Sequence, residues 1–219
     1  MKKRVFAIAS ALCLMPALAL AQQGGNAYLG GGIGRGSASG ADLPPFTISG
    51  VTVSASGGTT TDTAYKLFGG YQFDQNWGLE VGYNNLGNGY SKTAIATAGG
   101  ASVPLNVTAK VDNWYVAGTG TLPLGTSGFS LSGKLGLVRN STNVGNICAF
   151  GICAAGGSAS STRSQALVGV GIKYGFNKNL SGILEYEDYG KTSKDDLWQT
   201  GTSGALKANA WYLSLRYDF

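Results

Sequence analysis

The chain has 219 residues, of which 43% are apolar, 12% are charged and 36 are glycine, and the apolar fraction argues against an intrinsically disordered chain. The formal net charge is +5, but three of the 16 basic residues lie within the first four positions, so residues 22–219 hold 13 basic and 11 acidic residues. The resulting charge of +2, without any basic run, argues against nucleic-acid binding.

Residues 1–21 are predicted to be a secretory signal peptide. Lys2, Lys3 and Arg4 precede an apolar run that ends in Ala19-Leu20-Ala21, which is the basic, apolar and small-residue order of such signals. A retained membrane anchor is the less favoured alternative, because the run is short for a spanning helix of about 20 apolar residues. We expect cleavage after Ala21, which leaves a single barrel domain over residues 22–219.

The rest of the chain alternates between apolar and polar residues, which predicts β-strands with two different faces. Tyr65, Leu67, Tyr71 and Phe73, for example, alternate with polar or small residues. Eight such segments occur, at residues 27–36, 63–73, 77–84, 114–122, 129–137, 168–176, 180–187 and 207–219.

The connections between these segments fall into two classes. Residues 74–76, 123–128 and 177–179 are short turns, whereas residues 37–62, 88–106, 140–162 and 191–206 are long and rich in Gly, Ser, Thr and Ala. Short turns at one rim and long loops at the other are typical of outer-membrane barrels. A soluble β-sandwich is the less favoured alternative. The aromatic residues near the short turns predict a girdle at the membrane interface: Phe73, Trp77, Phe129, Phe176 and Phe219.

The last strand is the most distinctive. One of its faces is entirely apolar and ends in an aromatic residue: Trp211, Leu213, Leu215, Tyr217 and Phe219. The opposite face includes Arg216 and Asp218, which suits a lipid-facing wall around a polar interior. This strand resembles the C-terminal signature by which outer-membrane proteins are recognised for barrel assembly.

Four further stretches resemble strands of the OmpA-like family of eight-stranded barrels. The sequences FGGYQF at residues 68–73 and GLEVGY at 78–83 are similar to its second and third strands, and GIKYG at 171–175 with LEY at 184–186 to its sixth and seventh. The resemblance implies an all-β, eight-stranded antiparallel up-and-down transmembrane barrel in the bacterial outer membrane, and a monomer.

The same resemblance implies partners. These are outer-membrane lipid and lipopolysaccharide, with barrel-assembly machinery and periplasmic chaperones during biogenesis. We expect no peptidoglycan-binding domain, because the chain ends at the barrel, and hence no anchoring to the cell wall.

Seven charged residues are predicted to point into the lumen: Lys66, Glu80, Lys134, Lys173, Glu185, Glu187 and Arg216. An eight-stranded barrel has an interior that side chains fill, so these charges must pair with one another. The favoured interpretation is a polar plug, and the alternative is a regulated ion path. In the OmpA-like family such charges have been considered a gate; Glu80 and Lys134 match family positions. Lys173 and Ile183 occupy positions at which the best-known member has Glu and Arg, so the gating pair of that member is not reproduced here.

Catalytic chemistry is poorly represented. The chain has no His, the most frequent general base near neutral pH, and the outer-membrane enzymes resemble one another in using one. Glu185 and Glu187 share a face, but beside lumenal cations they are more simply explained as structural. The glycine run at residues 30–36 lacks the spacing of a phosphate-binding loop. We therefore predict a non-enzymatic protein without cofactor or metal.

Cys148 and Cys153 lie in the third long loop and are predicted to form a disulfide, because the protein is exported. A metal or redox site is the less favoured alternative.

The long loops are otherwise mostly neutral, with a charged stretch around Lys191, Asp195 and Trp198. The sequence thus predicts a barrel that supports the envelope and presents loops for adhesion or recognition of a host or other surface ligand. The alternative is a narrow channel for ions or small solutes.

Overall fold

The computed structural model describes residues 25–40, 43–48, 51–55, 58–87, 90–98, 101–149, 152–154, 159–192 and 206–219. The described residues form twelve β-strands: β1 (Asn26–Gly40), β2 (Leu43–Ile48), β3 (Val51–Ala55), β4 (Gly58–Gln72), β5 (Trp77–Asn85), β6 (Tyr90–Ala98), β7 (Ala101–Pro123), β8 (Phe129–Ala149), β9 (Ile152–Ala154), β10 (Ala159–Gly175), β11 (Leu180–Lys191) and β12 (Lys207–Asp218). Among the described residues, no helix is long and apolar enough to cross a membrane. The predicted signal peptide lies outside them.

Eight of the strands close into a barrel. Their order around the wall is β1, β4, β5, β7, β8, β10, β11 and β12, and β12 pairs with β1 from Tyr28↔Asp218 to Ser39↔Lys207. Every neighbouring pair is antiparallel. The structure confirms the predicted eight-stranded antiparallel up-and-down barrel.

The other four strands lie within segments that were predicted to be loops, and there the predicted boundaries are wrong. β6 pairs with the first part of β7, β3 pairs with β6, and β2 pairs with β3, so the first two long connections widen the sheet beyond one rim. β7 begins at Ala101 rather than 114, and β8 continues to Ala149 rather than ending near 137. Thr and Val favour strands as aromatic residues do. Residues 46–48 and 51–53 do alternate between apolar and polar side chains, and such a stretch can extend strands above the membrane, but the other runs lack a clear apolar alternation.

The outer surface of the barrel is apolar between two aromatic girdles. The predicted girdle near the short turns is confirmed, since its five side chains are all exposed: Phe73, Trp77, Phe129, Phe176 and Phe219. A second girdle nearer the long loops was not predicted, and its members are Tyr65, Tyr83, Trp114, Tyr186 and Trp211. Neighbouring rings pack together in it, with centroids 4.9 Å apart for Tyr83–Trp114 and 5.1 Å for Tyr186–Trp211. Such paired girdles are expected at the two faces of a bilayer.

The short turns are held by their own side chains. In the β4–β5 turn, Asp74 Oδ1 accepts hydrogen bonds from the backbone N–H groups of Asn76 and Trp77, both at 2.7 Å. In the β10–β11 turn, Asn177 Oδ1 accepts from those of Asn179 and Leu180. Asp and Asn favour turns for this reason, which explains why these connections stay short.

The lumen is filled by alternate side chains of the same strands, and one close approach requires glycine. A Cβ atom at Gly82 would lie 2.5 Å from the ring of Tyr115, so glycine is needed on β5 for that ring to lie across it. The ring carries a hydroxyl group into the middle of the lumen, where the charged side chains meet.

Candidate functional site: the charged lumen

Five of the seven predicted lumenal charges come together at mid-height of the barrel. Lys66 lies on β4, Glu80 on β5, Lys134 on β8, and Glu185 and Glu187 on β11. The strand period of two places each of them inward. We call these five residues the central cluster.

The two lysines of the central cluster bridge its three carboxylates. Lys66 Nζ lies 2.5 Å from Glu185 Oε1 and 2.7 Å from Glu187 Oε1. Lys134 Nζ lies 2.7 Å from Glu80 Oε1, 2.9 Å from Glu185 Oε2 and 2.8 Å from Glu187 Oε1. The side chains of all five are at most 8% exposed, so the pairs are shielded from bulk water. Each lysine therefore holds carboxylates from more than one direction.

Tyrosine hydroxyls complete the bonding of the carboxylates, which outnumber the lysines by one. Tyr115 and Tyr28 donate to Glu80 at 2.6 and 3.2 Å. Tyr189 donates to Glu187 Oε2 at 2.5 Å. Buried charges are tolerated when pairing and hydrogen bonding are nearly complete, and these donors supply what the two lysines cannot.

A layer of fully buried side chains closes the lumen between the central cluster and the long loops. A row of three asparagines crosses adjacent strands, because Asn84 pairs in register with Asn113 and Asn113 with Asn140. Asn84 Nδ2 donates to Asn113 Oδ1 at 2.9 Å. Apolar side chains fill the space around the row, each at most 1% exposed: Leu86, Val111, Val138, Leu167, Tyr189 and Tyr212.

The other two predicted lumenal charges are not in the central cluster. Arg216 is bound to Asp218 through Nε at 3.0 Å, and its Nη2 donates to Gln72 Oε1 at 3.0 Å. Its position on β12 pairs with Ser181, four residues from Glu185, or roughly 13 Å along the strand. Lys173 also lies towards the short turns. The expectation that all seven charges pair with one another is therefore wrong: two of them occupy a separate level.

Two cavities lie on the short-turn side of the central cluster. A small one of about 30 Å³ touches Glu80, Lys134 and Glu185 above and Lys173 and Arg216 below. A larger one of about 520 Å³ opens at the short-turn rim and is lined by Gln72, Thr121, Ser130, Lys173 and Arg216, among others. The lumen is thus polar and open from the short turns upward, and closely packed above.

The structure describes only some of the loop residues for which the sequence makes predictions. Cys148 and Cys153 are directly opposite in the β8–β9 pairing, while their side chains, and the tip at residues 150–151, lie outside what the structure describes. The charged stretch with Asp195 and Trp198 also lies outside the described residues. Within the described residues, no group of three or more His, Cys, Asp or Glu side chains could hold a metal ion.

Sequence reasoning missed the asparagine row and Tyr189. The alternation from Glu185 and Glu187 continues to Tyr189, so the same period of two would have placed that ring inward. Asn113 was missed because the predicted strand began at Trp114, whereas β7 begins at Ala101. Only the row itself, which depends on register between three strands, had no local signal.

Comparison with known proteins supports the architecture. The family model described as outer membrane protein beta-barrel domain matches residues 5–219. No curated protein matches the sequence. Among solved structures, the outer membrane protein OprG from Pseudomonas aeruginosa is 16% identical with a TM-score of 0.56, over 90% of this chain and 96% of that one.

Two other solved barrels are similar. The N-terminal β-barrel domain of Pseudomonas aeruginosa OprF is 14% identical with a TM-score of 0.49, over 90% of this chain and 100% of that one. Ail of Yersinia pestis, solved with the heparin analogue sucrose octasulfate, is 16% identical with a TM-score of 0.47, over 89% and 99%. At 16% identity, the similarity to OprG indicates the fold alone.

Proposed function

Because the chain belongs to the outer membrane protein beta-barrel domain family and is a protein of the bacterial outer membrane, we propose that it is a non-enzymatic, closed barrel that supports the envelope and presents its long loops for adhesion or recognition. The observation that carries this proposal is the filled lumen. The central cluster spans the barrel at mid-height, and the layer containing Asn84, Val138 and Leu167 is fully buried above it.

A closed lumen leaves the outer surface and the loops as the surfaces on which the protein acts. The strands extend past the membrane band on the long-loop side, where β2, β3 and β6 add to the sheet. This extension supports the loops on a rigid base, which suits recognition, because binding residues are often found on loops that a scaffold positions.

Lipopolysaccharide is the partner that the outer rim fits best. Exposed basic side chains project from the outer wall on the long-loop side, near or above the second aromatic girdle: Arg35, Lys110, Arg139 and Lys207. Of the acidic residues on the same outer wall, Asp112 accepts hydrogen bonds from Tyr83 and Asn85. The rim therefore offers positive charge at the height of anionic headgroups.

Single-channel recording of the refolded mature protein in a planar bilayer tests the proposal. We expect a correctly folded barrel to give no discrete conductance steps. Reproducible steps that change in Lys134→Ala would contradict a closed barrel and support the channel instead.

The alternative function, a narrow channel for ions or small solutes, is favoured by one observation. The cavities on the short-turn side bring polar space up to Glu80 and Lys134. Conduction would then require both the central cluster and the apolar layer above it to move, which is a larger rearrangement than exchanging one ion pair.

A further inference from the structure

We propose that the short-turn end of the lumen binds a small oxyanion, such as a phosphate or sulfate group, between Lys173 and Arg216. We call the open cavity lined by Gln72, Thr121, Ser130, Lys173 and Arg216 the vestibule. The inference goes beyond the proposed function and does not depend on whether the barrel conducts.

Lys173 has a positive charge that no carboxylate among the described residues neutralises. This side chain lies partly buried in the wall of both cavities, yet it forms no ion pair with any carboxylate among the described residues. The nearby carboxylates are already engaged. Asp218 binds Arg216, and Glu185 is held by Lys66 and Lys134. A partly buried ammonium group without an anion is costly, and a bound oxyanion would remove that cost.

The guanidinium group of Arg216 is held in a fixed position by its neighbours. Its Nε and Nη2 both donate to Asp218, and Nη2 also donates to Gln72. Its central carbon lies 3.5 Å from the ring centroid of Tyr28. These contacts use one edge and one face of the group, and Nη1 takes part in none of these hydrogen bonds. A guanidinium held in this way is a pre-organised donor for phosphate or sulfate oxygens.

Neutral polar side chains near Arg216 and in the vestibule can donate further hydrogen bonds. Gln72 Nε2 and Ser181 Oγ are buried and have no hydrogen-bond partner among the described residues. Ser181 is only 3% exposed and pairs in register with Arg216, while Gln72, Thr121 and Ser130 line the vestibule. The vestibule is also lined by Lys178 and by two carboxylates, of which Asp74 accepts from turn N–H groups and Asp218 from Arg216. Three cations against two carboxylates leave one net positive charge with neutral donors around it, which matches an oxyanion, whose oxygens accept several hydrogen bonds at once.

Size limits how far such an anion can travel. The vestibule has about 520 Å³, enough for a hydrated oxyanion, since one water occupies about 30 Å³ in the liquid. The cavity that continues towards the central cluster has only about 30 Å³. The anion therefore stops beside Lys173, and the three carboxylates above would repel it.

The test is a titration of the refolded mature protein with inorganic phosphate, in zwitterionic detergent at constant ionic strength. Amide NMR shifts of Lys173 and Arg216 report binding, and the unfolding midpoint reports stabilisation. We expect saturable shifts and a raised midpoint. In Lys173→Met the apparent Kd should rise about tenfold or more, because a charge-assisted contact is lost. Lys191→Met removes an exposed lysine at the other rim, outside the four basic residues proposed to face lipopolysaccharide, and it should bind phosphate as the parent does.

Stability without phosphate gives an independent readout. Lys173→Met removes an ammonium without an ion pair, so its midpoint in phosphate-free buffer should equal or exceed that of the parent, and Lys173→Gln serves if the Met variant fails to fold. Shifts that do not saturate, or that are equal in the parent and Lys173→Met, would mean an ionic-strength effect only and overturn the proposal.

Discussion

Lys66 Nζ lies 2.7 Å from Glu187 Oε1, although β4 and β11 are three positions apart around the barrel. The ion pair therefore crosses the lumen instead of following the wall. Backbone pairing fixes each strand only to its two neighbours, whereas the central cluster joins β4, β5, β8 and β11 through side chains. We infer that it acts as a brace for the closed cross-section.

Removing one carboxylate should weaken that brace. In Glu80→Ala, Lys134 loses its 2.7 Å partner, and the hydroxyls of Tyr115 and Tyr28 lose their acceptor. We expect the free energy of unfolding to fall by about 1–3 kcal/mol, the usual cost of burying a donor that has lost its acceptor, because Lys134 keeps Glu185 and Glu187 as partners. Urea unfolding in detergent measures it. Lys178→Ala, an exposed charge in a turn, should change stability by about 0.5 kcal/mol or less, and an unchanged midpoint for Glu80→Ala would argue against the brace.

The lipid-facing wall should respond to charge according to depth. Leu135 is 67% exposed and lies next to Lys134 at mid-height, while Leu122 is 59% exposed near the short turns. Leu135→Arg should cost about 2–4 kcal/mol in a bilayer, and Leu122→Arg about 0–1 kcal/mol. Folding equilibria in lipid vesicles give both values. Equal costs at the two depths would be inconsistent with the apolar band as the membrane-spanning surface.

Local patterns were sufficient to predict which way most side chains face. The alternation around Tyr65 to Phe73, or Phe129 to Leu137, needs only the strand period of two, and the structure places those apolar side chains outward as predicted. The short turns were equally predictable, because Asp74 and Asn177 bond to the backbone within three residues.

Contacts across the lumen had no such local signal. That Lys66 meets Glu187 depends on the tilt and stagger with which eight strands close, and it does not follow from the spacing within one strand. The contact between Arg216 and Asp218, by contrast, is local, because the two lie two residues apart on one face of β12. Like the Lys66–Glu187 contact, the row of Asn84, Asn113 and Asn140 had no local signal. The lengths of β7 and β8 were underestimated, because their upper parts lack a regular apolar alternation and pair with strands from the loops.

The predicted disulfide has a direct chemical test. Cys148 and Cys153 are opposite each other in an antiparallel pair, and such pairs have Cα atoms about 4.5–5.5 Å apart, within the range that a disulfide spans. We expect thiol reagents to leave the non-reduced mature protein unlabelled and to label two sites after reduction. Closing so short a loop should contribute about 2 kcal/mol or less, so Cys148→Ser should stay folded. Ready labelling without reductant would exclude the bridge.

The basic outer rim predicts that two exposed lysines differ in their contribution to lipopolysaccharide binding. Lys207 and Lys178 are both exposed, but they lie at opposite rims of the barrel. If the long-loop rim contacts lipopolysaccharide, Lys207→Gln should weaken lipopolysaccharide binding about fivefold. This factor corresponds to the roughly 1 kcal/mol that one basic residue contributes near an anionic surface. Lys178→Gln should have no effect. Native mass spectrometry of the protein with added lipopolysaccharide compares the two, and equal losses would exclude a rim-specific contact.

The C-terminal aromatic residue should matter for assembly more than for stability. Phe219 is 68% exposed, and its backbone N–H donates to Ala27 O at 2.9 Å, a bond that does not involve the ring. Phe219→Ala should therefore refold in detergent like the parent, yet accumulate less in the outer membrane of cells, because the ring belongs to the proposed assembly signature. Phe176→Ala is the matched control, since it removes an exposed ring of the same girdle away from the terminus. Equal accumulation of the two variants would mean that Phe219 serves only as a girdle residue.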